Sequence, residues 1–167
     1  GPQRDLYQLV LASQDAAIAA TKPGARFTDP HEATVKVLTQ GMFDLGLLDR
    51  DQHGTLDDAI HHRHYFAHYM HRTGHWLGMD VHDCGSYVEP GEVGQPSPRR
   101  DPLSGELIQD RPSRILRPGM VLTIEPGLYV RPSEKVPSAF WNIGIRIEDN
   151  AVVTADGCEL LTRDVPV

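Results

Sequence analysis

The chain has 167 residues, of which 40% are hydrophobic and 23% charged, enough for one hydrophobic core and too little for two independent domains. Its formal charge of -7, without a basic run carrying interleaved aromatics, argues against nucleic acid as a partner. No apolar stretch approaches the roughly 20 residues of a membrane span, and its two cysteines, Cys84 and Cys158, lack CxxC spacing, so a soluble protein of a reducing, cytoplasmic compartment is expected.

The first predicted element is an amphipathic helix from Arg4 to Ala20. Leu6, Leu9, Val10 and Ala17, with Ser13 among them, fall at helical spacing, and Lys22-Pro23-Gly24 stops the pattern. A second helix is expected to start with Asp29 as N-cap, Pro30 in the first turn and Glu32 three residues after the cap, and to end near Gly46. The polar stretch from Asp51 to His64 places His53, His61, His62 and His64, together with His68, on the surface, and from Tyr65 onward glycines 74, 78 and 85 favour extended segments and turns over a long helix. Residues 87–118, rich in proline, glycine and charge, form a loop insertion or a short two-stranded excursion.

Beyond that excursion, Gly119 to Ile124 and Trp141 to Val153 alternate as strands do. Strand parity puts Thr123 with Glu125, and Arg146 with Glu148, on one face, while Leu122 and Ile124, like Ile145 and Ile147, point to a hydrophobic layer. Two carboxylates brought to one side of a sheet repel each other unless a cation or a proton lies between them.

Three stretches carry chemistry: His71-Arg-Thr-Gly-His75 continuing to His82-Asp83, Thr123-Ile-Glu125-Pro-Gly, and Ile145-Arg146-Ile-Glu148-Asp149. One histidine followed at wide separation by two glutamates is a pattern that folds use to assemble a hydrolytic metal site. His71 and His75 are spaced i, i+4, but no glutamate follows the first, so the zincin motif fails. A nucleophile elbow, a phosphate loop and a dinucleotide fingerprint are all absent.

Together, Tyr69-Met70-His71 through His75-Trp76-Leu-Gly78 to His82-Asp83, Leu116-Arg-Pro118-Gly119 through Glu125-Pro126-Gly127-Leu-Tyr129, and Gly144-Ile-Arg146-Ile-Glu148-Asp149 strongly resemble the Xaa-Pro aminopeptidases (aminopeptidase P) and the related prolidases. The resemblance implies the pita-bread (creatinase/aminopeptidase) fold, an α+β domain around a dinuclear centre, most often manganese, that cleaves the bond before a proline. It assigns His75, Glu125 and Glu148 as metal ligands, with Glu148 bridging and Glu125 also acting as proton acceptor and donor. His71 and His82 would contact the substrate carbonyl or its developing oxyanion, Arg146 would orient Glu148 or the substrate, and Tyr129 is a further candidate for the cavity.

In that family two aspartate ligands lie on a hairpin upstream of the helix that opens this chain. Residues 1–167 are therefore expected to be the C-terminal portion of one pita-bread domain, lacking the N-terminal hairpin and first repeat. Such a portion should bind one Mn2+ or none where the intact site binds two, have weak or no activity alone, and self-associate. The substrate implied is an Xaa-Pro peptide, with a prolidase or a non-catalytic peptide- or protein-binding module as alternatives.

Overall fold

The computed structural model describes residues 1–100, 105, 107–110 and 112–166. Helix α1 (Pro2–Ala20) and helix α2 (Asp29–Asp44) pack side by side. Leu6, Val10 and Ala17 of α1 are fully buried, as are Leu38 and Met42 of α2, which is the i, i+3, i+4, i+7 stripe that a core-facing helix presents. Gly41 lets the two helices approach, because a Cβ there would overlap the Leu9 side chain. The second helix starts one residue earlier than its sequence suggests: Thr28 is the N-cap and Asp29 the first helical residue. The Asp29 carboxylate instead accepts from the Arg26 N–H at 2.9 Å, closing the turn before the helix.

Two short helices follow in the polar stretch, α3 (Arg50–His53) and α4 (Leu56–His61), each started by a side-chain cap. Thr55 and Asp58 form a reciprocal capping box, which explains how so polar a segment holds a helix. A single 3-10 turn spans His64–Ala67, and beyond it the chain runs without regular structure, as its glycines suggest.

Strands β1 (Gln95–Arg100) and β2 (Leu107–Asp110) pair antiparallel; residues 101–104, 106 and 111 of the expected insertion lie outside the described residues. The base of this excursion is clamped. Glu89 N–H donates to the Pro112 carbonyl at 2.9 Å and Arg114 N–H to the Tyr87 carbonyl at 2.8 Å. The Glu89 carboxylate accepts from the Ile115 N–H at 2.8 Å and from the Arg117 guanidinium, and Arg117 holds its carboxyl well below the usual range.

The rest of the chain forms two small sheets, one of β3 (Val121–Ile124), β6 (Asp149–Val153) and β7 (Cys158–Leu160), the other of β4 (Gly127–Val130) and β5 (Ile143–Arg146). Where alternation suggested one strand over 141–153 there are two, and β4 and β7 add to the two runs that alternation picks out. Val121 opposes Val152 and Ile124 opposes Asp149; Gly127 opposes Arg146 and Val130 opposes Ile143. The offset is the same on both sides of the break, so β3–β4 and β5–β6 form one long hairpin interrupted at residues 125–126 and 147–148. Pro126 has no N–H to give to the ladder, although its carbonyl still accepts from Ile147 N–H at 3.2 Å. β7 extends the sheet beyond β6.

Residues 73–77 run along the other edge of β3. Leu77 N–H donates to Val121, Thr123 N–H to His75 and Glu125 N–H to Thr73, at 3.1, 3.0 and 2.6 Å. Gly74 is required in this approach because a Cβ would drive into the Thr123 carbonyl. The main core lies between the helix pair and the β4–β5 side of the hairpin, joining Leu6, Val10, Leu38 and Met42 to Leu128, Val130 and Ile147.

Gly74→Ala should therefore lower the unfolding free energy by about 1–3 kcal/mol, the range for overpacking, while Gly157→Ala, where a Cβ meets nothing within 4 Å, should change it by less than ~0.5 kcal/mol. Urea titrations of the two variants check this contrast.

Candidate metal centre

The break in the hairpin is where the site lies. Continuing the register across the break puts Glu125 opposite Glu148, two carboxylates where a regular ladder would set cross-strand neighbours. The edge segment, aligned with β3, brings His75 alongside. The ligand atoms of His75, Glu125 and Glu148 all lie within 4.8 Å of one another, with Glu125 buried, His75 half-buried and Glu148 exposed. Three donors sharing one ion through bonds of about 2 Å sit roughly 3–4 Å apart, so the cluster is close to that spacing.

Hydrogen bonds fix how the two inner members face each other. His75 Nδ1 lies 2.9 Å from the Trp76 carbonyl, which can only accept, so Nδ1 carries the hydrogen. Nε2 is then aimed at Glu125 Oε1, 3.2 Å away. A lone pair facing a carboxylate oxygen at that distance requires a proton or a cation between them. Glu125 is itself held at both oxygens. The Thr123 hydroxyl accepts from the His75 N–H at 3.0 Å and donates to Oε1 at 2.9 Å, and Arg146 Nη1 donates to Oε2 at 3.3 Å. Thr123 and Glu125, placed by parity on a face away from the hydrophobic layer, are nonetheless 1% and 8% exposed. A residue two positions before the glutamate, on the same face of the strand, is where such a partner must stand, so parity carried the signal for Thr123.

Three further residues form a directed chain at the rim. Arg146 Nε donates to the Tyr129 hydroxyl at 2.6 Å, Tyr129 sits 3.0 Å from His71 Nε2, and His71 Nδ1 lies 2.8 Å from the Arg72 carbonyl. With Nδ1 donating to a carbonyl, Nε2 accepts the tyrosine proton. Burial pushes the pKa of His71 down, against the hydrogen bond to the Arg72 carbonyl, and the charge of Arg146 adds to the lowering. His82 is exposed, its ring edge-on to that of His75 with centroids 4.2 Å apart. His53, His61, His62 and His64 gather on the α3–α4 surface, whereas His68, expected with them, is buried, its Nε2 3.3 Å from the Leu47 carbonyl; among the described residues none of the five enters a group of three converging metal donors.

His31 goes unmarked by any motif or periodicity. It projects from the start of α2 to Thr73, with Nδ1 3.0 Å from the threonine hydroxyl, and Tyr69 reaches the same hydroxyl at 2.6 Å. Thr73 in turn accepts from the Glu125 N–H, so this trio pins the edge segment that carries His75. A lone histidine on a helix has no distinguishing pattern.

The sequence profile of metallopeptidase family M24 matches residues 1–155. The chain belongs to that family. Its relatives include an Xaa-Pro aminopeptidase from Haemophilus influenzae, 40% identical over 165 residues, 99% of this chain and 33% of that protein. The solved aminopeptidase PepP of Pseudomonas aeruginosa superposes with a TM-score of 0.82 at 43% identity, over 99% of this chain and 33% of that one. Aminopeptidase P from E. coli, solved with the inhibitor Pro-Leu, gives 0.79 at 36% identity, over 99% and 32%. The fold is thus the α+β pita-bread arrangement of aminopeptidase P, and the chain spans about a third of the length of the curated relatives it matches. Among the described residues no helix is long and apolar enough to cross a membrane.

Burial pushes the pKa of His31 from 6.5 down to about 4, helped by the charges of Arg72 and Arg63. The unfolded chain takes up this proton below pH 6.5 while the folded one resists it until about pH 4, so stability is fully present above pH 6.5 and falls through that window. The residue's contribution is on the order of 2–3 kcal/mol. Urea unfolding at a series of pH values should show the decline, and His31→Gln should flatten it.

Proposed function

We propose that this chain supplies the His75–Glu125–Glu148 side of the metal centre of an Xaa-Pro aminopeptidase, which hydrolyses the peptide bond between an N-terminal residue and a following proline. The observation that carries this reading is the convergence of His75 Nε2 on Glu125 beside Glu148, a donor set of one imidazole and two carboxylates that suits a hard or borderline divalent ion. The names of the relatives and the Pro-Leu inhibitor of the E. coli structure support proline specificity.

Manganese is the ion we assign first, and when bound it would polarise the scissile carbonyl and acidify a water toward neutral pH. The chain's own residues do the rest. Glu125, with Oε1 steadied by Thr123 and Oε2 by Arg146, accepts the proton of the attacking water and returns it to the leaving amine. Arg146 stays charged throughout and holds Oε2 of that carboxylate in place. His82, exposed beside His75, donates to the oxygen on which negative charge develops. His71, oriented by Tyr129 on one nitrogen and the Arg72 carbonyl on the other, lines the pocket of the substrate without changing its protonation.

The relatives are about three times as long, so the complete two-ion site is assigned to a protein of their length, with at most one weakly held ion and little activity in these 167 residues. Self-association of the chain and a cytoplasmic location belong to the same reading.

Titrating the 167-residue chain with Mn2+ by calorimetry should give about one site or fewer, and Glu148→Gln should weaken it at least about tenfold. Hydrolysis of an Xaa-Pro peptide should appear only in a protein of the relatives' length. Equal Mn2+ binding by the parent and the Glu148→Gln chain, or robust hydrolysis by these residues alone, would overturn the proposal.

A further inference from the structure

Helix α1 reaches the metal centre through one side chain. Gln14 is 2% exposed, and its amide nitrogen lies 3.4 Å from the Ile124 carbonyl and 3.1 Å from Asp149 Oδ2. An amide NH2 has two hydrogens, and two acceptors stand before it. Ile124 and Asp149 are register partners across the hairpin. Ile124 immediately precedes Glu125 and Asp149 immediately follows Glu148, so one side chain grips both strands at the residues flanking the paired carboxylates. The grip matters most at this point because the ladder is interrupted there and Pro126 offers no N–H to hold the strands together.

Asp149 completes the arrangement. It is 8% exposed, and while Oδ2 takes the Gln14 amide, Oδ1 takes the hydroxyl of Thr162. Thr162 Oγ1 in turn accepts from the Asn150 N–H at 3.1 Å. Both oxygens of Asp149 are engaged by neutral donors, which turns this carboxylate into a backbone anchor and leaves the neighbouring Glu148 to face the site.

We propose that Gln14 is a positioning residue for the metal centre: by tying Ile124 to Asp149 it sets the separation of Glu125 and Glu148, and with it the affinity for the cation. This rests on the function proposed above. The geometry ranks Gln14 above an ordinary core contact because a buried amide is costly to keep unless its hydrogens are used, and here both are used on the two ligand-bearing strands.

The test compares Gln14→Met, similar in shape but without donors, with Ser13→Ala, which removes a buried hydrogen bond of the same helix to the Val10 carbonyl and touches neither strand. Mn2+ affinity is measured by calorimetry on the 167-residue chain, and amide hydrogen exchange is followed at Ile147 and Asp149 without metal. Gln14→Met should weaken Mn2+ binding about tenfold and speed exchange at both amides, while Ser13→Ala changes neither, whatever each does to the urea midpoint. Unchanged affinity and exchange in Gln14→Met, or equal losses in both variants, would overturn the positioning role. The function proposed above allows the 167-residue chain to bind no Mn2+, and in that case the exchange rates alone decide whether Gln14 holds the strands.

Discussion

The electrostatic conflict between Glu125 and Glu148 organises this molecule. A sheet tolerates like charges across from each other only at a cost, and here the chain sets them in register at the one place where its long hairpin stops exchanging regular hydrogen bonds. Proline at 126 breaks the ladder, and at that break both carboxylates converge with His75. Much of the surrounding structure keeps this unfavourable pairing in place: Thr123 and Arg146 hold Glu125, the 73–77 segment supplies the imidazole, and α1 and α2 press on the two sides through Gln14 and His31. A cation resolves the conflict, which is why the site reads as a metal centre before any relative is considered.

The positions that matter are fixed by backbone as much as by side chain. The carbonyl of Trp76 sets the His75 tautomer, the carbonyl of Arg72 sets that of His71, and the carbonyl of Thr73 receives the N–H of Glu125. Gly74 is the condition for all of this, since only a residue without Cβ lets the histidine segment lie against β3. Glu125 and Glu148 each sit between two strands and His75 on a segment hydrogen-bonded to β3, so paired backbone on either side keeps their separation small before a ligand arrives.

Sequence carried the chemistry further than the architecture. The three ligand candidates, the rim residues His71, His82 and Arg146, both long helices and the Thr123–Glu125 parity were legible because motif, periodicity and alternation are local signals. The division of 141–153 into two strands was not, because the cause is Pro126, a residue on the partner strand. β4 escaped notice for a related reason: Gly127 to Val130 is short and follows a proline, and it becomes a strand through pairing with β5. Gln14 and His31 act across 135 and 42 residues respectively, and no window along the chain contains both ends of such a contact.

The clamp at Glu89 has a bearing on how this scaffold tolerates change. By gathering Arg117, Ile115 and the paired backbone of residues 87–89 and 112–114, it closes the excursion at its root before the chain enters β3. Lengthening the chain beyond the clamp then incurs little more than loop-closure entropy, about 0.6 kcal/mol for each doubling. The root acts as a firebreak, so that a change of length out there is not passed on to the carboxylate pair behind it.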